Sequence, residues 1–207
     1  MSIKKSGMIS IVGRPNVGKS TLTNALVGEK VAIVSSKPQT TRNRICAILN
    51  RGESQFVFLD TPGLHKARSR LGDYMVKVVT SSLSDVDCAL LLVEPIPHVG
   101  GPEQALIDRI REEEIPCILC VNKIDTVEPA ELLPGIAAYN QAWDGFDAII
   151  PISAHTGSGL KDLMKELPKD HWILYNIQII TFGRSICTAR NPKCGECFLK
   201  KYCTGRK

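Results

Sequence analysis

No stretch of this chain reaches the roughly 18 to 20 continuous apolar residues that a bilayer-spanning helix requires, which excludes a membrane-crossing helix as its organising element. Its first residues, MSIKKSGMISIVG, hold neither the long apolar segment nor the small-residue cleavage site of a secretory leader, so a cytoplasmic location is expected. Charge of one sign is also scarce until the end of the chain. Residues 168 to 207 hold 8 Lys/Arg against 2 Asp/Glu, which leaves 18 basic and 19 acidic residues in 1 to 167. Cysteine is divided in the same way. Cys46, Cys88, Cys117 and Cys120 are scattered through apolar runs, whereas Cys187, Cys194, Cys197 and Cys203 crowd together near the C-terminus. The asymmetry divides the chain into two pieces, 1–167 and 168–207. A hydrophobic fraction of 43% over 207 residues supports a core for one ordinary domain and an appendage.

What is present begins with Gly13 to Ser20, GRPNVGKS, directly after the apolar run Met8 to Val12. It matches G-x-x-x-x-G-K-[ST], the phosphate-binding loop, between a strand and a helix. Gly13 and Gly18 let backbone N–H groups of the loop Arg14-Pro15-Asn16-Val17 turn inward around phosphates, an approach that a Cβ would obstruct. Lys19 can reach β/γ-phosphate oxygens, the Ser20 hydroxyl can ligate Mg²⁺, and Thr21 continues the loop into a helix whose positive end faces the anion.

The base is read elsewhere. The run Ile115 to Val121 ends in Asn122-Lys123-Ile124-Asp125. Asp125 can accept two hydrogen bonds from guanine N1–H and its exocyclic NH₂, a donor pair that adenine lacks, so one carboxylate discriminates strongly. Asn122 braces the loop and the Lys123 stem covers one face of the base. The run Ala148 to Ile152 leads into Ser153-Ala154-His155, whose backbone can meet guanine O6. Asp60-Thr61-Pro62-Gly63 comes after another apolar run and offers a carboxylate for the Mg²⁺ shell and a glycine N–H that senses the γ-phosphate. These four motifs, each at the carboxyl end of a strand, describe a guanine-nucleotide site for GTP and GDP.

Periodicity places strands near 8–12, 44–50, 55–59, 87–93, 115–121 and 148–152, with helices near 18–28, 71–83, 102–113, 129–142 and 157–167. Asn50-Arg51-Gly52-Glu53 is a turn signal, so the second and third strands should form a hairpin. Strand and helix alternate thereafter. An α/β fold is expected: a mixed, mostly parallel sheet with one antiparallel strand, helices on both faces, and the ligand at the carboxyl ends of the strands.

The segments GRPNVGKSTLTNALVGEKVAIVSSKPQTTRNRI, DTPGLHK, LGDYMVKVV, NKID and SA resemble the GTP-binding domain of the Era family of bacterial GTPases, over residues 1 to about 167. The resemblance implies a Ras-like domain and a slow GTPase switch that binds 16S ribosomal RNA and assists maturation of the 30S subunit, with some members associating peripherally with the inner membrane. It places Thr40 and Thr41 in the first switch, with Thr41 the expected Mg²⁺ ligand when GTP is bound, and 64 to about 70 in the second. Ras-type enzymes orient the attacking water with a glutamine just beyond D-x-x-G. Leu64 stands there and cannot do so. Catalysis is therefore expected to rest on phosphate positioning by Lys19 and Gly63, on Mg²⁺, and on K⁺ held by Asn16, which matches the asparagine that related GTPases use for this purpose. Era proteins continue into a KH domain whose Gly-x-x-Gly loop clamps RNA. Residues 168–207 contain no such loop, so coupling to ribosomal RNA is expected to be lost.

Residues 168–207 carry instead the spacing C-x6-C-x2-C-x5-C, from Cys187 through Cys194 and Cys197 to Cys203. Four such cysteines read as a metal site, and spacing alone leaves zinc and a [4Fe–4S] cluster open. The segment HWILYNIQIITFGRSICTARNPKCGECFLKKYC resembles the C-terminal end of endonuclease III-type DNA glycosylases. That resemblance implies a [4Fe–4S] cluster on the four cysteines and a basic loop, here with Arg190 and Lys193, that contacts nucleic-acid phosphates without sequence preference. The glycosylase helix-hairpin-helix and its lysine are missing, so no base-excision activity is expected. Leu133-Pro134-Gly135-Ile136-Ala137 is read as helix. Three readings stand: a GTPase switch with an appended tail, an iron–sulfur DNA-binding segment with a regulatory nucleotide domain, or a chimera with one inert part. Cys117-x-x-Cys120 is read as core packing, and His65, His98 and His155 as loop residues.

Overall fold

The protein is described from a computed structural model that covers residues 5–34, 45–63, 83, 86–167, 187, 193–195 and 197. Its elements are β1 (Lys5–Gly13), α1 (Lys19–Val27), β2 (Ile45–Arg51), β3 (Ser54–Asp60), β4 (Cys88–Val93), α2 (Gly101–Glu112), β5 (Cys117–Val121), a 3₁₀ turn (Ile124–Thr126), α3 (Pro129–Ala142), β6 (Ala148–Pro151) and α4 (Leu160–Glu166). They form a six-stranded sheet in the order β2-β3-β1-β4-β5-β6. Among the described strands only β2 runs antiparallel, and it joins β3 through a hairpin in which Arg51 faces Ser54. β1 lies between β3 and β4 and is parallel to both. The chain therefore leaves β1 toward one side and later returns on the other. That topological switch opens a crevice at the carboxyl ends, where doubly wound sheets bind their ligands.

Strand alternation divides the core into two layers. Cys88, Leu90 and Leu92 of β4 join Ile9, Ile11 and Phe58 under α1 and α4. Ala89, Leu91 and Val93 face the other way, toward Leu106, Ile107 and Ile110 of α2 and Tyr139 of α3. β4 and β5 are buried along their whole length, as expected for central parallel strands covered on both faces. Cys117 and Cys120 are fully buried, one in each layer, because an odd spacing in a strand sends side chains to opposite faces. Burial raises both thiols well above their ordinary range and pushes Cys88 up to about 12. These three cysteines are core residues.

Element boundaries depart from periodicity where the backbone decides. β1 extends back to Lys5 because β3 supplies a ladder for Lys5, Ser6 and Gly7, which carry no hydrophobic signal of their own. The last helix starts at Leu160 rather than 157. Gly157 and Gly159 sit at φ 84° and 73°, which ends any helix there. Leu133 to Ala137 lies inside α3, whose start is fixed by a capping box in which the Glu131 carboxylate accepts from Glu128 N at 3.0 Å. Of the helix expected near 71–83, only Leu83 falls among the described residues, and it is helical and buried. Among the described residues, no helix is long and apolar enough to cross a membrane.

Candidate functional site

The phosphate loop bridges β1 and α1. A side chain at Gly13 would collide with the Leu92 carbonyl of the neighbouring strand, and one at Gly18, where φ is 100°, with the Asn122 amide. Sterics as well as backbone freedom thus require glycine at both positions. Asn16 is exposed and left-handed at φ 63°, a conformation that asparagine tolerates. α1 begins at Lys19 and its Asn24 side chain accepts from Val31 N and Ala32 N at 3.0 and 2.8 Å, tying down the chain beyond the helix.

Lys19 is 6% exposed, and its ammonium donates to the carbonyls of Gly13 at 3.1 Å and Arg14 at 2.6 Å. Burial pushes its pKa down to about 8, against an opposing pull from Asp60. Such a charge, sunk in the mouth of a loop at a helix N-terminus, suits an anion of high charge density. Asp60, at the end of β3, is fully buried and accepts from the Ser20 hydroxyl at 2.6 Å. Burial raises its pKa, while the Ser20 hydrogen bond and the Lys19 charge hold it back. Its Oδ1 has no hydrogen-bond partner among the described residues. A buried carboxylate with an unspent oxygen beside a phosphate-loop hydroxyl fits Mg²⁺, which takes oxygen donors and keeps several waters. The Thr61 hydroxyl donates to Ile11 O at 2.7 Å and so fixes the turn after β3 to β1. Pro62 is buried behind it. Gly63 packs so closely on the Pro15 backbone that a Cβ there would overlap it.

The N-K-I-D loop and the Ser153–His155 loop rise from β5 and β6. Asn122 is 2% exposed and spends its side chain on both neighbours. Its Nδ2 donates to Val17 O at 2.7 Å, and its Oδ1 accepts from Ala154 N at 2.9 Å. Phosphate loop, N-K-I-D loop and Ser153–His155 loop are therefore held by one amide. Lys123 takes φ 67°, which turns the chain into the 3₁₀ segment carrying Ile124 and Asp125. Asp125 is exposed; the Ser153 hydroxyl, donating to its carboxylate, holds its pKa below the usual range, with smaller pulls from His155 and Lys123. Ser153 itself is 1% exposed, and its Oγ accepts from Thr156 N at 3.1 Å. His155 is exposed.

The motif residues from Gly13 to Thr21, Asp60 to Gly63, Asn122 to Asp125 and Ser153 to His155 all lie at or just beyond the carboxyl ends of β1, β3, β5 and β6, with Gly13 and Asp60 the last residues of their strands. Thr41, Leu64 and Cys203 lie outside the described residues. Sequence reasoning missed Glu94, which immediately succeeds β4 and forms an ion pair with Lys123, and Glu103 of α2, which pairs with Arg14. A signal existed for Glu94: it is a carboxylate at the end of the one central strand that had received no motif.

In the C-terminal segment Cys187 and Cys194 are exposed and Cys197 is half-buried, all three as free thiols. Among the described residues no three metal-ligating side chains are grouped. As a donor set, four thiols suit a thiophilic centre, whether zinc or iron–sulfur.

A family model described as 50S ribosome-binding GTPase matches residues 8–123, more than half of the chain. A second, described as the iron-sulfur binding domain of endonuclease III, matches residues 187–203. GTPase Era of Geobacter metallireducens is 50% identical over 165 residues, covering 80% of this chain and 55% of that protein. GTPase Era of Lactobacillus helveticus is 48% identical over 165 residues, covering 80% of this chain and 54% of its own length. The chain thus spans about half the length of the curated relatives it matches. Among solved structures, that of Era in complex with MgGDPNP and nucleotides 1506-1542 of 16S ribosomal RNA superposes with a TM-score of 0.74 at 36% identity, covering 82% of this chain and 59% of that one. The FeoB G-domain from Methanococcus jannaschii shares the fold, with a TM-score of 0.56 at 24% identity over 78% of this chain and 94% of that one.

Proposed function

This chain belongs to the 50S ribosome-binding GTPase family, and we propose that residues 1–167 bind GTP and GDP with Mg²⁺ and hydrolyse GTP as a cytoplasmic switch of the Era type. One observation carries the reading: the Asn122 amide, bonded to Val17 O at 2.7 Å and to Ala154 N at 2.9 Å, sets the phosphate loop and the base-reading loops at one fixed spacing. A ligand that fills both must carry phosphates at one end and a base at the other. Asp125 makes that base guanine.

The roles we propose rest on position. Lys19 and the loop N–H groups bind and orient the β- and γ-phosphates. Ser20 and Asp60, with Thr41 by resemblance, would hold Mg²⁺, which when bound neutralises charge on the phosphate oxygens. The Gly63 N–H senses the γ-phosphate, and its loss on hydrolysis releases the loops beyond β3 and α1. Ribosomal RNA is present in the complex of the similar Era structure. Replacing Asp125 by Asn, which exchanges an acceptor for an amide, should move the preference from GTP toward XTP in competition binding. An unchanged preference removes Asp125 from this role.

The match of residues 187–203 to an iron–sulfur binding domain favours a second proposal, that Cys187, Cys194, Cys197 and Cys203 hold a [4Fe–4S] cluster. An anaerobically prepared protein should be brown, with iron and sulfide in equal amounts. A colourless protein containing stoichiometric zinc overturns the proposal.

A further inference from the structure

Glu94 stands at the end of β4, between β1, which carries the phosphate loop, and β5, which carries the base-reading loop. Its two carboxylate oxygens are divided between them. Oε1 pairs with Lys123 Nζ of the N-K-I-D loop, and Oε2 lies 3.9 Å from Arg14 Nη2 of the phosphate loop. On its other side Arg14 Nε pairs with Glu103 Oε1, an ionic contact that lacks hydrogen-bond geometry. Glu103 is the anchor: it is 1% exposed, sits in the first turn of α2 where the helix dipole favours a carboxylate, and leaves Oε2 without a hydrogen-bond partner among the described residues. Tyr139 of α3 is buried, and burial, with Glu103 next, pushes its phenol pKa up against an opposing pull from Arg14.

The order is Lys123–Glu94–Arg14–Glu103, alternating in sign and running from the N-K-I-D loop through the phosphate loop to α2. Lys123, Glu94 and Arg14 are 36%, 30% and 31% exposed, so each link is individually weak and screened by salt. A shift of Lys123 nevertheless changes the field on Arg14 through a shared carboxylate, and Arg14 cannot follow freely because Glu103 is fixed in the core. Networks of this kind couple their members beyond pairwise contact.

Resting on the guanine-nucleotide reading of the site, we propose that Glu94 and Arg14 are positioning residues forming an ionic relay, anchored on Glu103, that couples the seating of the guanine base to the set of the phosphate loop and thereby slows nucleotide release. Neither side chain need touch the reacting phosphate.

The test is stopped-flow release of a fluorescent GDP in Mg²⁺ from the full chain, for wild type, Glu94→Gln, Arg14→Gln and the double variant. Each single variant should release GDP about fivefold faster at low salt, the size expected for losing a partly exposed ion pair. The double variant should be no faster than the faster single, because both break one relay. Between about 0.05 M and about 0.5 M salt the difference from wild type should shrink toward none as screening removes the relay. A merely structural role would lower the melting temperature and leave a salt-independent ratio. Wild-type release rates in both single variants, or additive effects in the double, overturn the relay. A wild-type chain that fails to bind GDP overturns the guanine reading, and the relay with it.

Discussion

At the phosphate end of the site the charged groups are inside: Lys19 is 6% exposed and Asp60 is fully buried. At the proposed base end the charged group, Asp125, is at the surface, and the buried groups beside it are the neutral Asn122 and Ser153. The phosphate end holds its charges ready in a low-dielectric place, where a phosphate and a divalent cation find strong partners and the ligand-free protein bears the strain of keeping them there. The proposed base end places its carboxylate in water, beside the buried Ser153 hydroxyl, and spends the Asn122 amide on the loops around it. On the proposed reading, affinity is built from burial at one end, and specificity from direction at the other.

That contrast can be broken from the phosphate side first. Lys19→Ala should weaken GDP and GTP binding by about a hundredfold or more, since a charge-assisted contact to phosphate is lost. The ligand-free variant should melt no lower than wild type, because removing a buried ammonium relieves its desolvation. Titration and calorimetry together check both halves; a variant that melts much lower while still binding GDP would reverse the assignment. From the base side the effect should be smaller. Ser153→Ala removes the hydroxyl that aims Asp125 and should weaken GDP binding about fivefold, the usual cost of one hydrogen bond. Binding of inorganic triphosphate should not change. Equal losses for both ligands would show that the two ends are not separable in this way.

The phosphate end was legible in the sequence because its rules are local: Gly13, Gly18, Lys19 and Ser20 fall within one loop. The parallel sheet with one antiparallel strand was legible from the order of apolar runs and the Arg51-Gly52 turn. Contacts across the sheet were not. Asn122 bonds Val17 at a separation of 105 residues, and the Glu94 pairing with Lys123 and Arg14 exists only because β4 lies between β1 and β5. Helix ends were misjudged where glycine at positive φ overrode the pattern, as at Gly157 and Gly159. Cys117 and Cys120 were legible as core once the strand was granted, since a strand sends them to opposite faces.

The central proposal is that the phosphate loop and the N-K-I-D loop together take one guanine nucleotide per chain and refuse an adenine one. Isothermal titration of the wild-type chain with GDP and with ADP in Mg²⁺ tests it most directly. GDP should bind at one site per chain with ADP weaker by several orders of magnitude, whereas equal affinity for the two, or no binding of GDP, would contradict it.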